Sequence, residues 1–268
     1  MKKNNIQKQW NKATESWVDF VRKRKDYTRE ELNNPAMFKM LGNISGKRVL
    51  DLGCGEGYNS RIMAGKKAKI IGVDLSAKLI DCAIREEKRK KLGIDYYVRN
   101  AADLRLFKNN TFDVVASFNV LQDVENYQAA IKEAARVLQK MGRFIFVIPH
   151  PCFEIRMKNG KMLGGWEYKK EAKDKAMKNA LYYKVDRYFD IHKYVIPWNM
   201  KRLIRHFKTT SFHRTLSDYI DALYKAGLMI SRLKEPQPTK RGLRKYPIYF
   251  GGNLRIPQSI VIEAIKQK

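Results

Sequence analysis

From Arg48 onward the apolar positions fall into short runs separated by longer amphipathic stretches. RVLDLG (48–53), KIIGVDL (69–75), DYYVRNA (95–101), FDVVASF (112–118) and RFIFVIP (143–149) are short and rich in Val, Ile and aromatic residues, so each predicts a strand. Between them GYNSRIMAG (57–65), AKLIDCAIREEKRKKLG (77–93) and YQAAIKEAARVLQKMG (127–142) repeat apolar residues at helical spacing. Ser76 is placed to cap the second helix, and Gly65 and Gly93 to end the first and second. Short apolar strands alternating with helices specify a parallel sheet with helices on both faces, wound by right-handed crossovers. The rhythm stops at residues 152–212, which are basic, rich in Tyr, Phe and Trp, and weakly periodic. It returns with TLSDYIDALYKAGL (215–228), a helix capped near Thr215 or Ser217 and ended by Gly227. LMISRLKEP (228–236) follows as a strand, then a basic Pro/Gly loop, then SIVIEAIK (259–266) as the last strand. Ahead of the sheet, Ile6, Trp10, Trp17, Phe20 and Val21 form a broken helical stripe, which predicts a short helix lying over something.

A chain of 268 residues accommodates one α/β domain with an insertion. The boundaries expected are an N-terminal helical cap (1–45), a core (46–151 and 213–268) and an inserted segment (152–212), long enough to be a lid or binding element. The absence of an 18-residue apolar run excludes a membrane span, and MKKNNIQKQW is followed by no apolar stretch of the secretory kind. Cys54, Cys82 and Cys152 lie far apart, so neither a disulfide framework nor a zinc site is expected, and a reducing cytoplasm is the default. Charge is the one extreme. With 55 basic and 27 acidic residues the net charge is +28, which attracts RNA, acidic membranes or anionic metabolites. The excess is spread along the chain without an RNA-binding motif, as in a lysine-rich solvated surface.

The candidate chemistry begins at Asp51-Leu52-Gly53-Cys54-Gly55-Glu56-Gly57, where strand runs into helix. A dinucleotide fingerprint needs its third glycine one place later, where Tyr58 stands, and the Gly-Lys-Ser/Thr of a phosphate loop is absent. Asp51 would repel a pyrophosphate but favour a cationic amine or sulfonium. Asp74, closing the second strand, can accept from ribose hydroxyls. Ala102 and Asp103, after the third strand, can flank an adenine, and Asn119 ends the fourth. All sit at carboxyl ends of strands, the edge where open α/β sheets bind ligands.

In this ordered set the chain resembles the class I S-adenosylmethionine-dependent methyltransferases of the small-molecule type. VLDLGCGEG resembles their first motif, and IGVD, AADL and FDVVASFNVLQDV their later ones. The resemblance implies an α/β, seven-stranded, doubly wound Rossmann-like sheet of order 3-2-1-4-5-7-6 with its last strand antiparallel. It also implies S-adenosylmethionine as cofactor. Asp51 and the backbone of Gly53, Cys54, Gly55 and Gly57 would then hold the methionyl amine and carboxylate. Asp74 would take the ribose hydroxyls, Leu75, Ala102 and Asp103 the adenine, and Asn119 the methionine portion. Tyr27 resembles a tyrosine that related enzymes place over the cofactor.

Methyl transfer is an in-line displacement, for which the protein aligns the acceptor, excludes water and, where needed, removes a proton. His150, directly after the fifth strand, is the candidate base. No metal is assigned, because the histidines lack metal-ligand spacing. Cys152 lacks the partner Pro-Cys that an RNA cytosine methyltransferase would carry after strand four, and an Asn-Pro-Pro-Tyr motif is absent there too. Trp166, Tyr168, Tyr182, Tyr183, Tyr188, Phe189, Tyr194 and Trp198 give the insertion the means to cap a flat acceptor, with only some of them expected to face it. The leading expectation is therefore methylation of an oxygen, nitrogen or carbon of a small molecule, aromatic or anionic. The alternative is an RNA methyltransferase using the basic surface and the KRGLRK stretch at 240–245.

Overall fold

The first strand that the pattern predicts, β1 (Arg48–Leu52), lies at the centre of a seven-stranded sheet. β2 (Lys69–Asp74), β3 (Asp95–Val98), β4 (Phe112–Phe118) and β5 (Leu138–Pro149) are parallel to it through successive neighbours. This computed structural model describes residues 5–158, 161–171 and 177–267. Three hairpins follow β5: β6 (Met157–Lys158) with β7 (Lys161–Met162), β8 (Gly164–Tyr168) with β9 (Ala180–Val185), and β10 (His192–Trp198) with β11 (Phe207–His213). The chain then re-enters the sheet as β12 (Leu228–Lys234) and β13 (Ser259–Lys266). The sheet order is β3-β2-β1-β4-β5-β13-β12, with β13 antiparallel to both neighbours, as the motif pattern implied.

Alternate strand residues feed opposite faces. Leu50, Leu52, Phe144 and Phe146 pack toward α5 (Tyr127–Val137) and α6 (Leu216–Lys225). Val49, Ile70, Val114, Ile145 and Val147 pack on the other face with α2 (Asn34–Leu41), α3 (Tyr58–Gly65) and α4 (Ala77–Lys90). This is why the parallel strands read as near-continuous apolar runs. The caps are local. Ser76 Oγ accepts the Leu79 N–H, and Thr215 and Asp218 form a reciprocal capping box at α6.

Three boundaries differ from the sequence expectation. α5 stops at Val137 rather than Gly142, because the fully buried Leu138 already pairs with Phe112 of β4. α4 stops at Lys90 rather than Gly93. Lys91 turns left-handed there, and the Glu87 carboxylate accepts the Gly93 N–H at 2.7 Å. The basic stretch after β12 is not a loop. It folds into α7 (Lys240–Lys245) and α8 (Pro247–Phe250), because Thr239 caps Gly242 N–H and Glu31 pairs with Arg241 at 2.6 Å.

The predicted N-terminal helix is α1 (Asn5–Arg22), which lies along β11. Gln9 exchanges hydrogen bonds with Thr210 (3.0 and 2.9 Å), and Ser16 with the backbone of Arg205 (2.8 and 3.1 Å). A cluster of Ala13, Phe20, Leu203 and Phe207, flanked by Trp10, Trp17 and Trp198, fills the space between. A π-helical turn at Arg29–Asn33 joins α1 to α2. In the inserted segment, residues 159–160 and 172–176 lie outside the described residues.

Candidate active site

The glycine turn is built by hydrogen bonding to the neighbouring strand. Gly53 and Cys54 both donate to the Val73 carbonyl, at 2.8 and 2.9 Å, so the chain leaves β1 across the end of β2. Gly53 has φ +78°, and a Cβ there would lie 2.3 Å from Val120 Cγ2. Gly57, at φ +80° before α3, would meet the Tyr96 hydroxyl at 2.4 Å. Only glycine satisfies both the left-handed backbone and the close approach. Gly55 differs, because the nearest atom to its missing Cβ is Trp17 Nε1, 3.8 Å away.

A cavity of about 620 Å³ runs along this edge of the sheet. Its floor brings together Asp51, Gly53, Cys54, Gly55, Asp74, Leu75, Ala102 and Asn119. Trp10, Trp17 and Phe20 of α1 also line it, with Trp198 of β10 and Arg202 of the β10–β11 loop. The α1 side is fastened directly to the floor. Gln7 donates to the Leu75 carbonyl at 2.9 Å, and Ser76 donates to Asn11 at 2.7 Å. Glu56, buried inside the turn, pairs with Arg22 of α1 and Arg61 of α3, each at 2.7 Å.

Two carboxylates, the buried Asp51 and the half-buried Asp74, give the floor its electrostatics. Burial pushes the Asp51 carboxyl up to about 7, against the bond that Ser60 donates to it at 2.5 Å, while the charge of Asp74 pushes the same way. Among the described residues its other oxygen has no hydrogen-bond partner. Burial also raises Asp74, although Gly55 and Ser76 N–H groups donate to its two oxygens at 2.9 and 2.8 Å. Neither carboxylate has an ion-pair partner among the described residues. A buried anion without a counter-ion is costly, so the pair suits a cationic ligand. The Cys54 thiol, raised by burial and by the surrounding carboxylates, remains protonated.

Four residues expected in the site stand outside this cavity. Gly57 shapes the start of α3 behind it. Asp103 lies on the surface, where Arg105 takes both its oxygens at 2.8 Å and holds it down to about 2. Tyr27 stacks on Tyr246 at 3.8 Å and carries the Arg202 guanidinium 4.1 Å from its ring centre. His150 is 3% exposed and has no free nitrogen. Nδ1 accepts the Cys152 N–H at 3.2 Å, which leaves Nε2 as the protonated nitrogen facing Glu235 at 2.9 Å. Burial also lowers its pKa, against Glu235. A general base needs an available lone pair facing the acceptor, so His150 is a buried turn residue.

Of the eight aromatic residues singled out in the insertion, only Trp198 lines the cavity. Trp166 and Tyr183 pack on each other, Tyr194 is buried, and Phe189 is 84% exposed. The aromatic wall comes instead from α1, and its signal was the Trp10–Trp17 spacing of two helical turns. Sequence reasoning also missed Asn33, Gln122, Asp123, Arg202, Tyr249 and Ser259, which line the cavity from five separate parts of the chain. The Gln-Asp pair was visible inside VLQDV, but nothing in it indicated which residue would face the ligand.

Residues 50–146 match the sequence profile of a methyltransferase domain. The span runs from β1 through β5 and includes the glycine turn, Asp74 and the end of β4. In that span and in its structure the chain is similar to the class I S-adenosylmethionine-dependent methyltransferases. An S-adenosylmethionine-dependent methyltransferase from Mesorhizobium loti superposes with a TM-score of 0.68 at 25% identity, over 86% of this chain and 96% of that one. A Listeria monocytogenes chain gives 0.67 at 27% identity, over 87% and 97%. A ubiquinone biosynthesis O-methyltransferase from Coxiella burnetii is 32% identical over 120 residues. That match covers 43% of this methyltransferase and half the length of the Coxiella enzyme. The protein is thus an enzyme with S-adenosylmethionine as its cofactor. Among its described residues no helix is long and apolar enough to cross a membrane.

Proposed function

We propose that this methyltransferase acts on a small molecule with an apolar or aromatic body and an anionic group. One observation carries the reading: the cofactor edge and an aromatic wall, Trp10, Trp17, Phe20 and Trp198, line the same cavity of about 620 Å³. That size lies within the range of small-molecule and cofactor pockets. The wall is pinned to the floor through Gln7, Asn11 and Arg22, an arrangement suited to enclosing an acceptor. Arg202 supports the anionic part. Its Nε is buried without a partner, no carboxylate pairs with it among the described residues, and it rests on Tyr27 and Tyr249. An unpaired guanidinium in a cavity wall favours a carboxylate or phosphate ligand.

In this reading Asp51 holds the methionyl ammonium through its unpartnered oxygen, and the open face at Gly55 lets the ligand approach the backbone. Asp74 retains lone pairs for ribose hydroxyls, and Leu75 and Ala102 flank the adenine. The cofactor supplies a methyl group already activated by a sulfonium, so the protein's task is alignment and exclusion of water. Residues 1–45 and 152–212 act as the cap and lid of a core at 46–151 and 213–268. The free thiols of Cys54, Cys82 and Cys152 suit a reducing cytoplasm.

The test is incubation with methyl-labelled S-adenosylmethionine and an extract of the source cells, followed by separation of RNA from metabolites. Label in the metabolite fraction, with a rate that changes little with salt, is the expected result. Label in RNA with a steep fall in salt would refute the reading, because phosphate contacts release counterions.

A further inference from the structure

The turn after β4, Leu121–Asp123, presents two acceptor oxygens to the cavity, and among the described residues no group donates to either. Asp123 Oδ1 accepts the Ser211 hydroxyl at 2.7 Å, and its Oδ2 has no partner among the described residues. Gln122 is 7% exposed, and its Oε1 is buried and unpartnered. Its amide orientation is fixed, because Nε2 donates to the Asn119 carbonyl at 2.7 Å, and a carbonyl can only accept. A buried acceptor without a donor, as Gln122 Oε1 is, is rare in folded proteins and costly when left so.

The turn is rigid. The Arg214 guanidinium donates to the carbonyls of Leu121 (2.9 Å), Val124 (2.5 Å) and Glu125 (3.1 Å), and Ser211 also donates to the Gln122 carbonyl (3.4 Å). Other cavity carboxylates are less suited to proton transfer. Glu56 is held by two arginines, Asp26 by Arg29, and Glu125 is exposed. Asp51 and Asp74 belong to the cofactor floor.

We infer that Asp123 is the general base of this methyltransferase and that the acceptor is a hydroxyl or amine whose O–H or N–H is read by Asp123 and Gln122. The inference rests on the small-molecule reading and narrows it, since a site with two acceptors and no donor selects a group that brings its own proton. In the step, the acceptor's lone pair forms the new bond to the methyl carbon. The carbon–sulfur bond breaks with its electron pair going to sulfur, and the acceptor's proton passes to Asp123 Oδ2. Charge balances: a sulfonium and a carboxylate become a neutral thioether and a carboxylic acid.

Burial pushes the Asp123 carboxyl up to about 7, against the Ser211 hydrogen bond and the Arg214 charge, which suits a base working near neutral pH. The groups facing it are Arg214, from the segment after β11, and Tyr194 of β10, whose hydroxyl donates to Glu154 at 3.2 Å. The Ser211 hydrogen bond survives replacement of Asp123 by asparagine, because an amide oxygen still accepts it.

The experiment compares wild type with Asp123→Asn, using the full chain, methyl-labelled S-adenosylmethionine and the metabolite fraction of source cells. Calorimetry with S-adenosylmethionine runs in parallel. The expected result is cofactor affinity within about two-fold of wild type and label transfer reduced by about 10²–10⁴. The wild-type rate, at dilute acceptor, rises with pH to a plateau above about 7, and that limb is absent from the residual rate of the variant. Asp123→Glu is expected to restore part of the rate together with the limb. Transfer by Asp123→Asn within a few-fold of wild type, or persistence of the same limb, would overturn the inference and leave the small-molecule reading standing. Wild type that binds cofactor but labels only RNA would overturn both.

Discussion

Replacing Gly53 with alanine tests the geometry of the cofactor turn at a single atom. The added methyl group has two separable costs. A non-glycine residue at φ +78° is strained by about 1–2 kcal/mol. The Cβ would also stand 2.3 and 2.5 Å from the two methyl carbons of Val120, which a folded chain relieves only by shifting one side. Overpacking of this kind costs about 1–3 kcal/mol. Gly93→Ala is the control, because Gly93 has nearly the same φ, +76°, with nothing within 4 Å. Urea denaturation followed by circular dichroism is expected to show a loss of about 1–2 kcal/mol for Gly93→Ala and at least about 1 kcal/mol more for Gly53→Ala. In thermal melts of a chain this size each 1 kcal/mol lowers Tm by about 2–4 °C. The double variant Gly53→Ala/Val120→Ala should recover the excess as a favourable coupling of about 1 kcal/mol or more. Because Val120 also lines the cavity, Gly53→Ala should weaken S-adenosylmethionine binding, and the double variant should weaken it less. Equal destabilisation by Gly53→Ala and Gly93→Ala, or strict additivity in the double variant, would refute the claim that close approach to Val120 demands glycine here.

Asp51→Asn should lower S-adenosylmethionine affinity at least about ten-fold in calorimetry, because it removes the one floor carboxylate with an unpartnered oxygen. The same variant should flatten the pH dependence of folding without cofactor. The native carboxyl, raised from 3.8 to about 7, holds its proton longer than the unfolded one, so wild-type stability falls as pH rises across that window. The slope is at most about 1.4 kcal/mol per pH unit for this group. Asp123 adds a slope of the same sign, so the variant should lose part of it, and an unchanged slope would contradict the assignment. Glu56→Gln should cost about 3 kcal/mol, since it leaves Arg22 and Arg61 facing a buried neutral amide. Limited proteolysis should then cut α1 sooner than in wild type, and unchanged resistance would show that the ion pairs do not hold the cap.

The core was legible because its physics is local and repetitive. All seven sheet strands follow from apolar runs, and the ends of α4 and α6 from Ser76 and Thr215. The floor of the site was legible for the same reason, since Asp51, Gly53, Asp74 and Asn119 sit at the carboxyl ends of strands that the sequence locates. Three of the expected site residues stand outside the cavity for reasons that a linear pattern does not carry. Tyr27 and His150 take their surroundings from residues remote in sequence, Tyr246 and Arg202 for the first and Glu235 for the second, whereas Asp103 is held at the solvent edge by the nearby Arg105. The insertion holds more aromatic residues than α1 and so draws the sequence reading to itself, yet of its eight singled-out aromatics Tyr194 is buried, Tyr182 and Phe189 are exposed and only Trp198 lines the cavity. Which aromatic faces a cavity is decided by the pairing of β10 with β11 and by the path of α1 across them, and neither is encoded in a local pattern.

The excess of basic residues sharpens the reading of the cavity more than it points to a partner. With 55 lysines and arginines available, buried carboxylates elsewhere in this protein are well served. Glu263, 3% exposed, accepts from Arg143 at 3.0 Å and Arg232 at 2.8 Å. These bonds, with that of Ser231, outweigh its burial and hold it down to about 2. Glu56, 1% exposed, is likewise held between two arginines. Asp51, equally buried, receives only a hydroxyl, and Asp74 only backbone N–H groups. Both are pushed up where Glu263 is held down. Burial alone therefore does not explain carboxylates without counter-ions in so basic a chain. Asp51 and Asp74 sit together at the carboxyl edge of the sheet, with Asp123 on the same cavity, and under the proposed reading the ammonium and sulfonium of the cofactor would supply there the positive charge that arginines supply elsewhere. On that reading, an arginine paired with either carboxylate would stabilise the protein but compete with the ligand, which is the usual conflict between stability and function at a binding site.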